Sequence, residues 1–224
     1  MYNLYGKRIF DFIISLLVFI LLSPIFLFIC LMIKIDSKGP IFFTQRRVGK
    51  NKEEFLILKF RSMRIDAPKD KPTHLLQNAD AYITNIGKFL RRTSLDELPQ
   101  LINIIMGQMS LVGPRPALYN QFDLVTKRDE VNANVVRPGL TGWAQVNGRD
   151  ELPIDIKAKF DGEYIKRMSF LFDLLCIIRT FKSVSTADGI AEGGSEVARE
   201  KNDQVSKGIK GATKNDADLD YWAQ

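Results

Sequence analysis

Cysteine and histidine are nearly absent: the 224 residues hold two cysteines, Cys30 and Cys176, and one histidine, His74. Both cysteines sit in apolar runs and the histidine in a proline-flanked polar segment, so no zinc-ligand spacing exists. The same scarcity argues against Cys–His nucleophiles and Ser–His–Asp triads, which leaves carboxylates, lysines and arginines to carry any chemistry. With no plausible disulfide pair, the composition fits a cytoplasm-facing protein. Neither the Walker nor the Rossmann glycine spacing occurs, and no internal repeat is visible. Charge excess is also small, with 32 Lys and Arg against 26 Asp and Glu, a net +6. It favours anionic partners such as phosphates or lipid headgroups. It lacks the clustered basic stripe with stacking aromatics that nucleic acid requires.

What the chain does have is a long apolar run. Phe12 to Ile33 carries no charge and matches a membrane-spanning helix, which needs roughly twenty apolar residues. No small-residue cleavage site follows, so the run is not a signal peptide. Lys7 and Arg8 precede it and Lys34 and Lys38 follow it, so the positive-inside bias does not separate its ends. Ser23-Pro24 interrupts it midway. Proline removes the hydrogen bond to the Ile20 carbonyl, and a serine hydroxyl satisfies the freed group. A broken helix that dips in and returns to one face accounts for both features; a straight spanning helix with a mild kink fits the residues equally well.

Downstream, Gly39-Pro40 leads into a short β-like run, Ile41 to Thr44, then a basic turn, Gln45 to Asn51, then a strand, Phe55 to Arg61. Alternation sets Phe55, Ile57, Lys59 and Arg61 on one face, where two cations either enclose an anion or snorkel to water. A polar, proline-bearing loop covers 66–78. From Asp80 the spacing of Tyr82, Ile83, Ile86, Phe89 and Leu90 predicts one amphipathic helix ending in Lys88, Arg91 and Arg92. Those cations either complement the helix C-terminus or form the wall of a site. A helix over about Leu95 to Met106 is expected to bury Leu98, Leu101, Ile102 and Ile105, with Gly107 stopping it. Met109 to Val112 reads as a strand breaking into a rigid turn that holds Arg115 between Pro114 and Pro116. From Arg137 to Arg149, glycines, turn dipeptides and arginines make either a phosphate cradle or a Gly-rich surface turn. Tyr164 to Thr186 is a core or membrane-surface helix, and Asp173 within it requires a polar partner. Residues 187–224 read as a polar tail, disordered or weakly helical.

The most informative stretch is Ser94-Leu95-Asp96-Glu97, with Arg91-Arg92 before it and Arg115 after it. S-x-x-E fits a capping box, in which the serine accepts a backbone N–H and the glutamate reaches back. Pro99 conflicts with a helix that starts at Leu95, but suits the first turn of one that starts at Asp96. The carboxylates therefore either cap or are free for other work. On an α-helix they differ by about 100 degrees, which suits separate roles better than a matched acid–base pair.

From Gly6 to about Thr186 the chain resembles the bacterial sugar transferase family, the monotopic phosphoglycosyl transferases. The matching blocks are Lys7-Arg8-Ile9-Phe10-Asp11, the apolar run with Ser23-Pro24, Gly39-Pro40-Ile41-Phe42-Phe43-Thr44-Gln45, Lys59-Phe60-Arg61-Ser62-Met63, Ser94-Leu95-Asp96-Glu97-Leu98-Pro99-Gln100, Gly113-Pro114-Arg115-Pro116, and Arg137 through Gly142-Trp143 to Arg149. The resemblance implies an α+β fold in three parts: a re-entrant membrane helix over 1–38 broken at Ser23 and Pro24, a cytoplasmic catalytic domain over 39–186 with interfacial helices and few short strands, and the tail. It places the protein at the inner membrane of a bacterium.

It also implies a reaction. Asp96 attacks the β-phosphate of a UDP-sugar, a covalent phosphosugar forms as UMP leaves, and undecaprenyl phosphate then takes the phosphosugar, starting capsule, exopolysaccharide or glycoconjugate assembly. Glu97 helps bind Mg2+. Lys59, Arg91, Arg115 and Arg149 are the candidate phosphate wall. A homodimer and downstream glycosyltransferases are further expected partners. The competing reading is a non-catalytic membrane-surface scaffold that grips anionic lipid while Asp96 and Glu97 cap a helix; it leaves the rigid Arg–Pro and Gly–Arg loops unexplained. No motif identifies the sugar.

Overall fold

The computed structural model describes residues 6–68, 79–148 and 152–185. The tail at 187–224, His74, Arg149 and most of the polar loop expected over 66–78 lie outside them.

The apolar run folds into two helices, α1 (Lys7–Leu21) and α2 (Ser23–Asp36), bent by 62°. Leu22 leaves helical geometry at φ −89° and ψ 3°. Pro24 stands in the first turn of α2, where its missing N–H costs nothing. The Ser23 hydroxyl donates to the Ile20 carbonyl over 2.8 Å, satisfying the group the proline frees. Neither helix alone is long and apolar enough to cross a membrane; together they have the length and composition of one broken span. Ile13, Leu17, Leu21, Leu27, Phe28 and Leu31 are exposed along the pair, while Phe26, Ile29 and Ile33 pack α2 against Phe60 and Leu90.

β1 (Phe42–Val48) and β2 (Glu54–Phe60) form an antiparallel hairpin, with Phe42 opposite Phe60 and Val48 opposite Glu54. Most of the basic turn expected over Gln45 to Asn51 is therefore strand, because pairing with β2 extends β1 to Val48. A short 3₁₀ turn at Lys50–Lys52 closes the hairpin. The helix expected from Asp80 divides into α3 (Ala79–Tyr82) and α4 (Asn85–Arg92). Ile83 bridges to Met63 between them, and Thr84 caps α4 by accepting the Gly87 N–H at 3.0 Å. Asp36, at the end of α2, accepts the Ile86 N–H at 3.1 Å, so α2 holds the start of α4.

α5 (Gln100–Ile105) begins later than expected, with Pro99 immediately before it and Leu95–Glu97 in a separate 3₁₀ turn. The break shifts the buried face to Leu101, Asn103 and Ile104, leaving Ile102 and Ile105 only partly covered. Leu101 and Ile104 join Ile57 and Met109 in one core cluster. The Asn103 amide accepts the Leu58 N–H at 2.9 Å and donates to the Leu56 carbonyl at 2.8 Å, matching both backbone groups of β2.

β3 (Ser110–Val112) pairs in parallel with β4 (Gly139–Thr141), which leads into the short α7 (Trp143–Val146). Close packing holds the segment from Arg137 to Gly148. A Cβ on Gly142 would collide with the Gly113 carbonyl oxygen, and Arg137 donates to the Gly107 carbonyl at 2.7 Å. Three helices complete the domain: α6 (Phe122–Glu130), α8 (Ile154–Arg167) and α9 (Phe170–Ser185). The core between β3, α7, α8 and α9 joins Val112, Trp143, Tyr164, Phe172 and Cys176. Asp173 has the partners its burial requires, the Lys7 ammonium at 2.6 Å and the Tyr164 hydroxyl at 2.8 Å. Leu171, Ile178 and Phe181 remain exposed on α9.

Candidate active site

The site forms where α4 ends. Ser94 takes left-handed geometry, φ 57° and ψ 17°, and its N–H donates to the Arg91 carbonyl at 3.1 Å. A left-handed residue just past a helix is a stop signal. The capping box expected from S-x-x-E is therefore absent: the Ser94 side chain makes no cap hydrogen bond. The Glu97 N–H closes the following 3₁₀ turn on the Ser94 carbonyl at 3.2 Å, and neither carboxylate is spent on capping.

The two carboxylates are held differently. Glu97 Oε1 accepts Lys59 Nζ at 2.7 Å and an Arg115 guanidinium nitrogen at 2.8 Å, with a second Arg115 nitrogen 3.4 Å from Oε2. Lys59 arrives from the end of β2 and Arg115 from the turn after β3, so Glu97 joins the two sheets. Burial pushes the Glu97 carboxyl up, but the Arg115 and Lys59 cations outweigh it and hold the group well below the usual range. Asp96 is only 9% exposed, and among the described residues no hydrogen bond engages its carboxylate. Burial and the Glu97 charge push the Asp96 carboxyl up to about 6, against the opposing pull of Lys59, Arg91 and Arg115. At neutral pH both are ionised; one is fixed and one is not.

An open cavity of about 340 Å³ lies over Asp96. Arg47, Lys59, Arg61, Arg64 and Arg91 line it together with Phe42, Phe43, Phe60 and Met63. Of the charged residues singled out in the sequence, Lys59, Arg61, Arg91 and Asp96 meet at this cavity. Arg115 stands behind it on Glu97, and Arg149 lies outside the described residues. Arg61, the other cation on the Lys59 face, turns its guanidinium to the Ser37 and Lys38 carbonyls, at 2.7 and 2.8 Å, just past the end of α2. Arg47 was not apparent as a site residue. Its guanidinium donates to Gln45 Oε1 at 2.6 Å and to the Pro116 carbonyl at 2.9 Å, beside Arg115. The available signal was the period-two alternation Phe43, Gln45, Arg47, which continues past the apparent end of the strand.

Asp96 is thus a buried carboxylate that no hydrogen bond engages among the described residues, beside a second one fixed by two cations and next to a cavity lined by further arginines. Residues 2–187 match the model of the bacterial sugar transferase family, and the chain belongs to that family. It is 37% identical over 198 residues to the exopolysaccharide production protein ExoY of Sinorhizobium fredii, covering 82% of this chain and 87% of that protein. It is 40% identical over 181 residues to a UDP-glucose:undecaprenyl-phosphate glucose-1-phosphate transferase of Escherichia coli, covering 78% of this chain and 39% of the relative. The UDP-N-acetylgalactosamine-undecaprenyl-phosphate N-acetylgalactosaminephosphotransferase of Aeromonas hydrophila is 37% identical, over 82% of this chain and 44% of its own. The chain thus spans less than half of the two larger relatives.

Proposed function

We propose that this protein transfers a sugar 1-phosphate from a UDP-sugar to undecaprenyl phosphate, at the inner membrane of a bacterium with its catalytic domain facing the cytoplasm. The observation that carries the reading is the Asp96 carboxylate, buried and free of hydrogen bonds among the described residues, under a cation-lined cavity. An Asp96 oxygen attacks the β-phosphorus. The bond from that phosphorus to the oxygen bridging the α-phosphate breaks, and UMP leaves with the electron pair. A phosphate oxygen of undecaprenyl phosphate then attacks the same phosphorus, breaking its bond to Asp96 and restoring the carboxylate. Lys59, Arg47 and Arg91 offset the charge of the diphosphate, which otherwise repels a carboxylate nucleophile.

The dyad fits Mg2+ by donor chemistry, since this ion takes one or two carboxylates together with substrate phosphates. Among the described residues no cluster of three or more ligating side chains competes with that arrangement. Glu97 would hold the ion through Oε2, its less engaged oxygen, and the ion would supply positive charge at the diphosphate. The bent pair α1–α2 enters the bilayer and returns to the same face, which sets the cavity at headgroup level, within reach of a lipid phosphate and a soluble nucleotide.

The test is to incubate the protein in lipid with a panel of UDP-sugars and undecaprenyl phosphate and measure UMP, then to quench with donor alone and weigh the intact chain. UMP with one donor, and a hexose-phosphate adduct on the peptide containing Asp96, are the expected results. A protein that releases no UMP from any UDP-sugar in the panel sinks the reading.

A further inference from the structure

The first turns of α1 carry three charged side chains, Lys7, Arg8 and Asp11, and all three are turned inward to the catalytic domain. Asp11 is 2% exposed; its Oδ2 accepts the Ser110 hydroxyl at 2.7 Å and its Oδ1 the Leu111 N–H at 3.2 Å. Both contacts fall on β3. Three residues beyond β3 stands Arg115, whose guanidinium fixes Glu97. Arg8, on the same turn as Asp11, donates to the Ile104 carbonyl and, at 2.8 Å, to the Ile105 carbonyl, the last turn of α5. The other end of α5 follows Pro99, two residues after Glu97. Lys7 lies 3.9 Å from Asp11 and 2.6 Å from Asp173, and so offsets the buried negative charge.

One helical turn therefore grips both elements that bring Glu97 and Arg115 together. Burying a carboxylate at this junction is an expensive way to pack a helix, since apolar residues of like volume do so at equal or lower cost. What a hydrogen-bonded carboxylate adds is a fixed register.

We propose that Asp11 is a positioning residue for the reaction: through Ser110 and Leu111 it sets β3, and with it Arg115 against Glu97, so that the membrane-proximal helix governs chemistry on the soluble donor. This rests on the transferase reading above. Its test uses the full chain in lipid vesicles, with UMP release from the UDP-sugar as readout. Asp11→Asn lowers kcat on the order of 100-fold, the scale of an ångström-sized misplacement, while KM for the donor, vesicle flotation and the thermal transition change little. On an Arg115→Ala background the same substitution has little further effect, because residues acting through one contact are not additive. Ser110→Ala, which removes the same contact from the β3 side, gives the same pattern and stands in if Asp11→Asn does not accumulate folded. Wild-type kcat in both variants, or an equal loss with and without Arg115, overturns the proposal and leaves the transferase reading intact. A wild-type chain that releases no UMP overturns both.

Discussion

Asp96 and Asp161 are both buried beside arginine, and burial raises both carboxyls above their ordinary range. Their settings otherwise differ. Asp161 joins α8 to α6 through two 2.7 Å contacts from the Arg128 guanidinium, and both side chains are almost fully buried. Such a pair is complete, and removing either member strands a buried charge. Asp96 has more cationic charge in reach, from Lys59, Arg91 and Arg115, yet none of it forms a hydrogen bond to its carboxylate among the described residues. Compensation by contact uses up the lone pairs of a carboxylate, whereas compensation at a distance leaves them for a substrate. The same residue type, buried in both places, thus serves as a strut at Asp161 and, on the proposed reading, as a nucleophile at Asp96.

The sharpest way to break this contrast is to neutralise Asp96. Asp96→Asn is expected to lower UMP release by about 10⁶-fold, the scale seen when a catalytic nucleophile is lost, without lowering the thermal transition. Arg128→Ala is expected to do the reverse: a loss of about 3–5 kcal/mol in denaturant unfolding, with UMP release per folded molecule unchanged. If either variant behaved like the other, the two aspartates would not differ in the way described.

A pH series sharpens the same contrast. Attack requires ionised Asp96, so kcat/KM rises tenfold per unit below about pH 6 and levels off above it. Stability runs the other way. The folded carboxyl sits above its unfolded value of 3.8, so the folded state binds the extra proton between those values. The stability it contributes is present below about pH 4 and is lost as pH rises through about 6. Subtracting the unfolding curve of Asp96→Asn from that of the wild type isolates the decline; no decline would place Asp96 in a more solvated setting. The smallest effect belongs to the turn beneath it. Ser94→Gly is expected to stabilise by up to about 1 kcal/mol, because a left-handed backbone costs a non-glycine residue about that much.

Much of this site was legible in the residues. Ser23-Pro24 marked the bend, and the serine satisfies the Ile20 carbonyl, because both effects are local to one helical turn. The Asp96-Glu97 pair and the cations Lys59 and Arg91 stood out for the same reason, as charge concentrated beside breakers. Features set by tertiary contacts were not legible. Arg61 shares a strand face and the cavity lining with Lys59, yet its terminal nitrogens donate to the carbonyls past the end of α2. Arg47 joins the cavity because pairing with β2 extends β1 beyond Thr44, and Arg137 donates to the distant Gly107 carbonyl. Capping by Ser94 failed because the end of α4 needed a left-handed residue at that position. The phase of α5 slipped because a separate 3₁₀ turn precedes Pro99.

The Asn103 amide has a consequence for solubility. A hairpin of two strands presents an outer edge on which another chain can lay a strand, and such edges nucleate aggregates. By occupying the Leu56 carbonyl and the Leu58 N–H, a fully buried side chain of α5 acts as a one-residue counterfeit strand. It denies a neighbouring chain those two docking points, in a protein that already exposes apolar side chains along α1, α2 and α9.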